Sequence, residues 1–297
     1  MKKFRCLPLL PLLLCASCAH PGSRVRIAPH EGPDRPGLVY FAQITDTHQG
    51  PGIHQWRFDR AIEAVNRSPL PLACVLHTGD FSSGGIHKPE TAAAIAERLH
   101  RIEAPLLTVP GNHDIVAKWP GTTRAAAKNF QENFGGLGQR FETNGVVFLA
   151  LYTEPLRGGR PIDLGVEYDP IEWLRRELRA SGGKPVIVAT HTPANADFYA
   201  GGPQPGWPDA ERERWVNALA EGNVVAVVCG HFHRDEVHWD ERGVPTYVAS
   251  SIAGFWGRQG SYRIYEYDPA TRRLGYRTLY FEDPAPARES PADSKTN

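Results

Sequence analysis

Five short polar clusters each close an apolar run, and that repeated arrangement limits the folds open to this chain. They are Asp46 with His48, Gly79 with Asp80, the run Gly111 to Asp114 (Gly, Asn, His, Asp), His191, and Gly230 and His231 with His233. The runs before them, such as Leu38 to Ile44, Ala73 to His77, Leu106 to Val109, Pro185 to Thr190 and Val224 to Cys229, read as strands. In open α/β sheets the crevice beyond the carboxyl ends of the strands is where ligands gather. Polar residues placed there are not needed for core packing. Clusters far apart in sequence are therefore expected to meet in one crevice.

Helical patterns lie between the strands. The spacing predicts helices over Phe58 to Arg67, with Ala61, Ile62 and Val65 on one face, and over Pro89 to Leu99, where proline sits in the opening turn. Others are predicted from Ala125 to Phe134, Pro170 to Leu178 and Asp209 to Leu219. Asn144 and Gly145, between Phe141 and the apolar run from Val146 to Leu151, signal a hairpin. From Val237 to Leu279 consecutive strands follow, with turns at Arg242–Gly243 and Asp268–Pro269. This order predicts an α/β fold with more than one sheet, in one large domain or in separate ones. With 297 residues, 41% of them hydrophobic, the chain can build a full core without metal support. Basic and acidic residues both number 33, so no excess charge argues for nucleic acid, and no nucleic-acid-specific binding is expected.

The clusters supply seven oxygen and imidazole donors and one further histidine. In extended backbone, residues two apart point the same way, so Asp46 and His48 are expected to reach one cation; His231 and His233 share the same spacing. Each pair alone is a weak signal; all five clusters in this order are specific. The set resembles the calcineurin-like metallophosphoesterases, over most of the chain from Leu38 to beyond His233. The motif pattern is similar to the branch containing class III cyclic-nucleotide phosphodiesterases. The resemblance implies a four-layer α/β/β/α sandwich of two mixed sheets flanked by helices. It implies two divalent or trivalent metal ions, manganese, iron or zinc: one held by Asp46, His48 and His233, the other by Asn112, His191 and His231, with Asp80 bridging both. It implies that His113 protonates the leaving oxygen. Asp114 is expected either to orient His113 through its other ring nitrogen or to cap a helix. The activity implied is hydrolysis of a phosphodiester or phosphomonoester by metal-activated hydroxide, on a small phosphorylated substrate. Purple acid phosphatases carry a ligating tyrosine three residues after the Gly-Asp aspartate; here that position is Ser83, which disfavours a tyrosinate-iron site. The competing reading is a non-catalytic lipoprotein using the same fold as a binding module. Degenerate relatives of that kind lose ligands, whereas this chain fills every position.

The first residues differ from the rest. Lys2, Lys3 and Arg5 precede a leucine-rich stretch from Leu7 to Leu14, the pattern of an export signal over 1–17. The segment from Leu14 to Cys18 resembles a bacterial lipoprotein cleavage box with Cys18 as the lipidated residue, although Cys15 stands where leucine is usual. The expectation is an exported, periplasm-facing envelope lipoprotein held to the membrane through Cys18, with plain export after cleavage nearby, or an uncleaved apolar anchor, as the alternatives. Export counts against cytosolic cyclic AMP as substrate. Residues 18–36 read as a tether, 37–283 as the phosphoesterase domain and 284–297 as a disordered tail. Cys74 and Cys229 lie in apolar runs and are read as buried thiols, with a disulfide as the alternative. His77, just before Thr78, is read as core or as support for the site. His54, His87, His100 and His238 are read as solvated or locally satisfied. Two Gly/Pro-rich segments could choose the substrate: Tyr152 to Asp169 with Arg157 and Arg160, and Asn195 to Pro208 with Phe198, Tyr199 and Trp207. Trp256 is a similar candidate. The alternative is that these are solvated surface loops.

Overall fold

The computed structural model describes residues 36–50, 55–115, 121–199, 202–234, 236–239, 243–255 and 258–281. The leader at 1–17, Cys18, the tether to residue 35, the tail at 284–297, His54, Arg242 and Trp256 lie outside the described residues, as do the side chains of Phe198, Tyr199 and His238.

The chain runs β1 (Val39–Ile44), α1 (Gln55–Asn66), β2 (Leu72–His77), α2 (Pro89–Leu99), β3 (Leu106–Thr108), α3 (Thr122–Asn133), β4 (Gly138–Thr143) and β5 (Val146–Leu151). There follow α4 (Glu154–Arg157), α5 (Pro170–Ala180), β6 (Val186–Ala189), β7 (Asp197–Tyr199), β8 (Gly202–Gln204) and α6 (Asp209–Ala220). The last strands are β9 (Val224–Cys229), β10 (Glu236–Trp239), β11 (Pro245–Val248), β12 (Ser261–Asp268) and β13 (Arg273–Tyr280). One sheet has the order β13-β12-β1-β2-β3 and the other β10-β11-β9-β6-β5-β4. In the first, β1, β2 and β3 are parallel and β12 and β13 antiparallel. In the second, β5, β6, β9 and β11 are parallel, with β4 and β10 antiparallel at the edges.

Side-chain alternation makes the layers. All six residues of β5 are buried, and the strand serves two cores. Val146, Phe148 and Ala150 pack across the gap on Val39 and Phe41 of β1, Leu76 of β2 and Leu107 of β3. Val147, Leu149 and Leu151 face the other way, onto Ile171 and Leu174 of α5 and Trp215 and Leu219 of α6. Beyond the first sheet, Ala42 and Ile44 meet Phe58 and Ile62 of α1, Ile95 of α2 and Phe130 of α3. The result is helices, sheet, sheet, helices. The core shared by the two sheets excludes separate domains. A strand covered on both faces reads as an unbroken apolar run, and this is why β5 and β9 carry no polar alternation.

Local chemistry fixes the connections. Asn144 and Gly145 have φ of 50° and 74°, and Thr143 pairs with Val146, which is the two-residue hairpin expected of that dipeptide. Asp169 caps α5, its Oδ1 accepting from Ile171 N at 2.8 Å and Glu172 N at 3.1 Å. The two segments read as loops contain the single turn α4 and the β7–β8 hairpin, elements too short to show a period. Cys74 lies between the sheets while Cys229 faces the helices, and both are buried free thiols. Among the described residues no helix is long and apolar enough to cross a membrane.

Phe41 is fully buried, stacked on Tyr265 at 4.7 Å and edge-on to Phe148 at 5.2 Å. Phe41→Ala is expected to lower stability by about 3–5 kcal/mol, read from urea unfolding. A loss under ~1 kcal/mol, the range of mild surface changes, would mean that the sheets do not meet there.

Candidate metal centre

The five clusters leave the carboxyl ends of β1, β2, β3, β6 and β9, and the loops are sewn together by backbone. Asp46 N donates to Gly79 O at 2.9 Å, His48 N to Asp80 O at 3.0 Å and Gln49 N to Phe81 O at 2.7 Å. Gly230 N donates to His191 O at 3.0 Å, and Ala253 N to Asp46 O at 3.2 Å. Asp46, His48, Asp80, His231 and His233 all have positive φ, between 42° and 72°. Non-glycine residues there carry a cost of roughly 1–3 kcal/mol each and cluster at functional sites. This corrects the expectation that extended backbone aims each pair. Left-handed turns aim them instead: Asp46 and His48 converge on one donor group, whereas His231 and His233 part into two.

The donors form two groups that share one residue. Asp46, His48, Asp80 and His233 bring ligand atoms within 4.8 Å of one another, and so do Asp80, His191 and His231. His233 Nε2 lies 2.9 Å from Asp46 Oδ1 and 3.3 Å from His48 Nε2. Asp80 Oδ2 lies 3.1 Å from His191 Nε2 and 3.7 Å from His48 Nε2, so one oxygen faces both groups. Asn112 Oδ1 joins the second group, 3.1 Å from His191 Nε2. Asp80 Oδ1 accepts from His113 N at 2.8 Å, and Asp46 Oδ2 from His231 N at 3.0 Å. The carboxylates are thereby fixed before anything binds.

A family model for calcineurin-like phosphoesterases matches residues 39–235, a span that contains all five clusters. The chain belongs to the calcineurin-like phosphoesterases. No curated protein matches it in sequence. Among solved structures it is similar to GAP50, the anchor in the inner membrane complex of Plasmodium, at 13% identity and a TM-score of 0.57, covering 82% of this chain and 84% of that one. It is also similar to a dimetal phosphatase from Danio rerio, at 13% identity and a TM-score of 0.53, covering 82% of this chain and 99% of that one. At this identity both show the fold.

The donor set of this family member fits two cations. His191 Nδ1 lies 2.8 Å from Thr78 O, and a carbonyl only accepts, so Nδ1 carries the proton and Nε2 is the donor atom facing Asp80. The imidazoles of His48 and His233 bring their Nε2 atoms to 3.3 Å, close enough for both to face one cation. Electrostatics agree. Burial opposes ionisation of Asp46, but His233, His48 and His191 hold its carboxyl well below the usual range. Burial also opposes charge on His191, yet Asp80, Asp46 and Glu154 push it up to about 10. His231 goes down, through burial and then the charge of His191 and Arg157.

Neighbouring residues depart from expectation in one case and meet it in another. Asp114 does not orient His113. Its Oδ1 accepts from Ser82 N at 3.1 Å and its Oδ2 from Gly111 N at 2.8 Å, while His113 Nδ1 faces Ser83 O at 3.4 Å. Nor does Asp114 cap α3, whose first turn follows Gly121. It cross-braces the loops after β2 and β3, fully buried, and burial with nearby Asp80 pushes its carboxyl up to about 7. His77 supports the site from behind, its Nδ1 accepting from Gly79 N at 3.2 Å, and burial lowers it to about 3. His100 is exposed and His87 half-buried. Sequence reasoning missed Phe255, whose ring lies 4.8 Å from that of His48 and stacks on His233 at 5.3 Å. It also missed Glu154, buried beside Thr192. No periodicity or motif marks either residue.

Two outcomes follow from this geometry. Gly79 has φ 95°, and a Cβ there would lie 2.7 Å from His191 Nδ1. Gly79→Ala is expected to fold while losing most of its bound metal by elemental analysis; full occupancy would show that the close approach is not needed. His48 and His191 are raised, so in the metal-free protein the proton-bound forms are favoured and each must lose its proton to ligate. Metal affinity should therefore weaken as pH drops from about 10, the value to which His191 is raised, through neutrality and into acid. Protein fully loaded at about pH 4 would contradict the assignment.

Proposed function

We propose that the protein is a di-metal-dependent hydrolase of phosphate esters, exported and held at the bacterial envelope by lipid on Cys18. The observation that carries the catalytic part is Asp80, whose one carboxylate faces two donor groups. A pair of cations there supplies charge neutralisation for phosphate oxygens and a lowered pKa for an attacking water. Asp46, His48 and His233 would hold one side, and Asn112, His191 and His231 the other. Manganese, iron and zinc all suit imidazole with carboxylate.

The remaining work falls to residues at the rim. His113 is half-buried, its ring 5.1 Å from that of His48 and its Nδ1 near Ser83 O. It is the proton donor to the leaving oxygen in this reading. Phe255 packs its ring on His48 and His233 at one edge of the first donor group. The dimetal phosphatase from Danio rerio shares the fold, which supports the same chemistry here. The family model supports an ester of phosphoric acid as substrate. The lipid anchor rests on the leader pattern before Cys18 alone.

The test is hydrolysis of bis(p-nitrophenyl) phosphate and p-nitrophenyl phosphate, with chelator and with added manganese. Turnover should be chelator-sensitive and vanish in Asp80→Ala. His113→Ala should keep its metal and lose roughly 10²–10⁴ in rate on an alkyl phosphate ester, and far less on the p-nitrophenyl esters, whose leaving group is already acidic. Metal-loaded protein that hydrolyses neither ester would favour the non-catalytic binding module.

A further inference from the structure

Beside the second donor group stands a buried carboxylate that no metal ligand uses. Glu154 opens α4 and is 7% exposed. Its Oε1 accepts from Thr192 Oγ1, the residue after His191, and its Oε2 from Arg157 Nη1 at 2.9 Å. A carboxylate taken out of water is costly unless it is paired and hydrogen-bonded. Glu154 uses both oxygens to hold these two groups in place. The topology sets the location: β5 and β6 are parallel neighbours, so α4, after β5, emerges at the sheet edge that delivers His191.

Arg157 is thus fixed at one corner. Its side chain is 36% exposed, and among the described residues its hydrogen bonding goes to Glu154 through Nη1. With Nη1 taken, Nε and Nη2 remain as donors. Charge around the two groups is uneven. The first contains two carboxylates, Asp46 and Asp80; the second contains Asp80 with two imidazoles and the neutral amide of Asn112. Arg157 adds positive charge on the poorer side, held there through Glu154 to Thr192 beside His191.

We propose that Arg157 is a substrate-binding residue that grips the terminal phosphoryl group of a phosphate monoester, with Glu154 and Thr192 as its positioning residues. This inference rests on the hydrolase reading and names its substrate class. A planar guanidinium matches two phosphate oxygens at once. A monoester presents three non-bridging oxygens and two negative charges, so two cations and an arginine can all be satisfied. In a diester one of those oxygens is esterified, carries no charge and sets an organic substituent against the guanidinium.

The experiment compares p-nitrophenyl phosphate with bis(p-nitrophenyl) phosphate on full-length, manganese-loaded protein. Arg157→Ala should raise KM for the monoester roughly tenfold or more and leave the diester within about threefold. Arg157→Lys should recover part of the loss, because the ammonium cannot bind bidentately. Thr192→Val should raise monoester KM in the same direction by less, with metal content unchanged. Equal effects on both esters, or none, would overturn the proposal. Calorimetric titration of orthophosphate into manganese-loaded protein separates the two readings. If the parent protein hydrolyses neither ester, the hydrolase reading fails, and the clamp still predicts roughly tenfold weaker orthophosphate binding in Arg157→Ala. Equal orthophosphate affinity would remove the clamp. If Arg157→Ala does not fold, Arg157→Gln carries the same comparisons.

Discussion

The site is organised around one buried carboxylate that serves two sets of donors. Asp80 Oδ2 faces His191 on one side and His48 on the other, while Oδ1 is occupied by the backbone of His113. Two separate carboxylates could not do this as well: they would add charge that burial penalises and would let the donor groups drift apart. Sharing one oxygen sets the spacing of the groups and ties the loop after β2 to those after β1, β3 and β6. The brace from Asp114 to Ser82 and Gly111 holds the same loops from behind.

That arrangement is bought with backbone strain. Five ligand residues sit at positive φ, where asparagine, aspartate and histidine are tolerated better than branched residues but are still unfavourable. Strain of this size persists only where the surroundings over-determine it. The sandwich supplies that. Three buried layers, one between the sheets and one under each set of helices, hold the strand ends rigid to the last residue before the turn. Loops hydrogen-bonded to each other, as Asp46 is to Gly79 and Gly230 to His191, leave the donors little freedom to relax. Arg57 and Ser251 extend the support to the far wall, bonding Ala253 O and Asp46 O respectively.

Residue types carried the legible part of the sequence. Carboxylates and imidazoles directly after strands announce a crevice of donors, and unbroken apolar runs announce strands covered on both faces. The Asn144–Gly145 turn and the proline at the start of α2 act through backbone restrictions local to their own residues, so they could be read directly. Long-range or very local features could not. The left-handed turns at Asp46 and His231 come from contacts made by other loops. Asp114 resembles an orienting acid in sequence, and only the fold shows that its oxygens are taken by Ser82 and Gly111. Glu154 gains meaning from Thr192, 38 residues away, and Phe255 from ring contacts to His48 and His233. The turn α4 and the β7–β8 hairpin are too short for any period to emerge.

The whole site depends on whether one carboxylate joins two ions. Crystals grown with manganese, with anomalous data collected at its absorption edge, would show this most directly. Two peaks about 3.5–4 Å apart, both within bonding reach of Asp80, are predicted. A single peak, or a pair in which Asp80 touches only one, would contradict it.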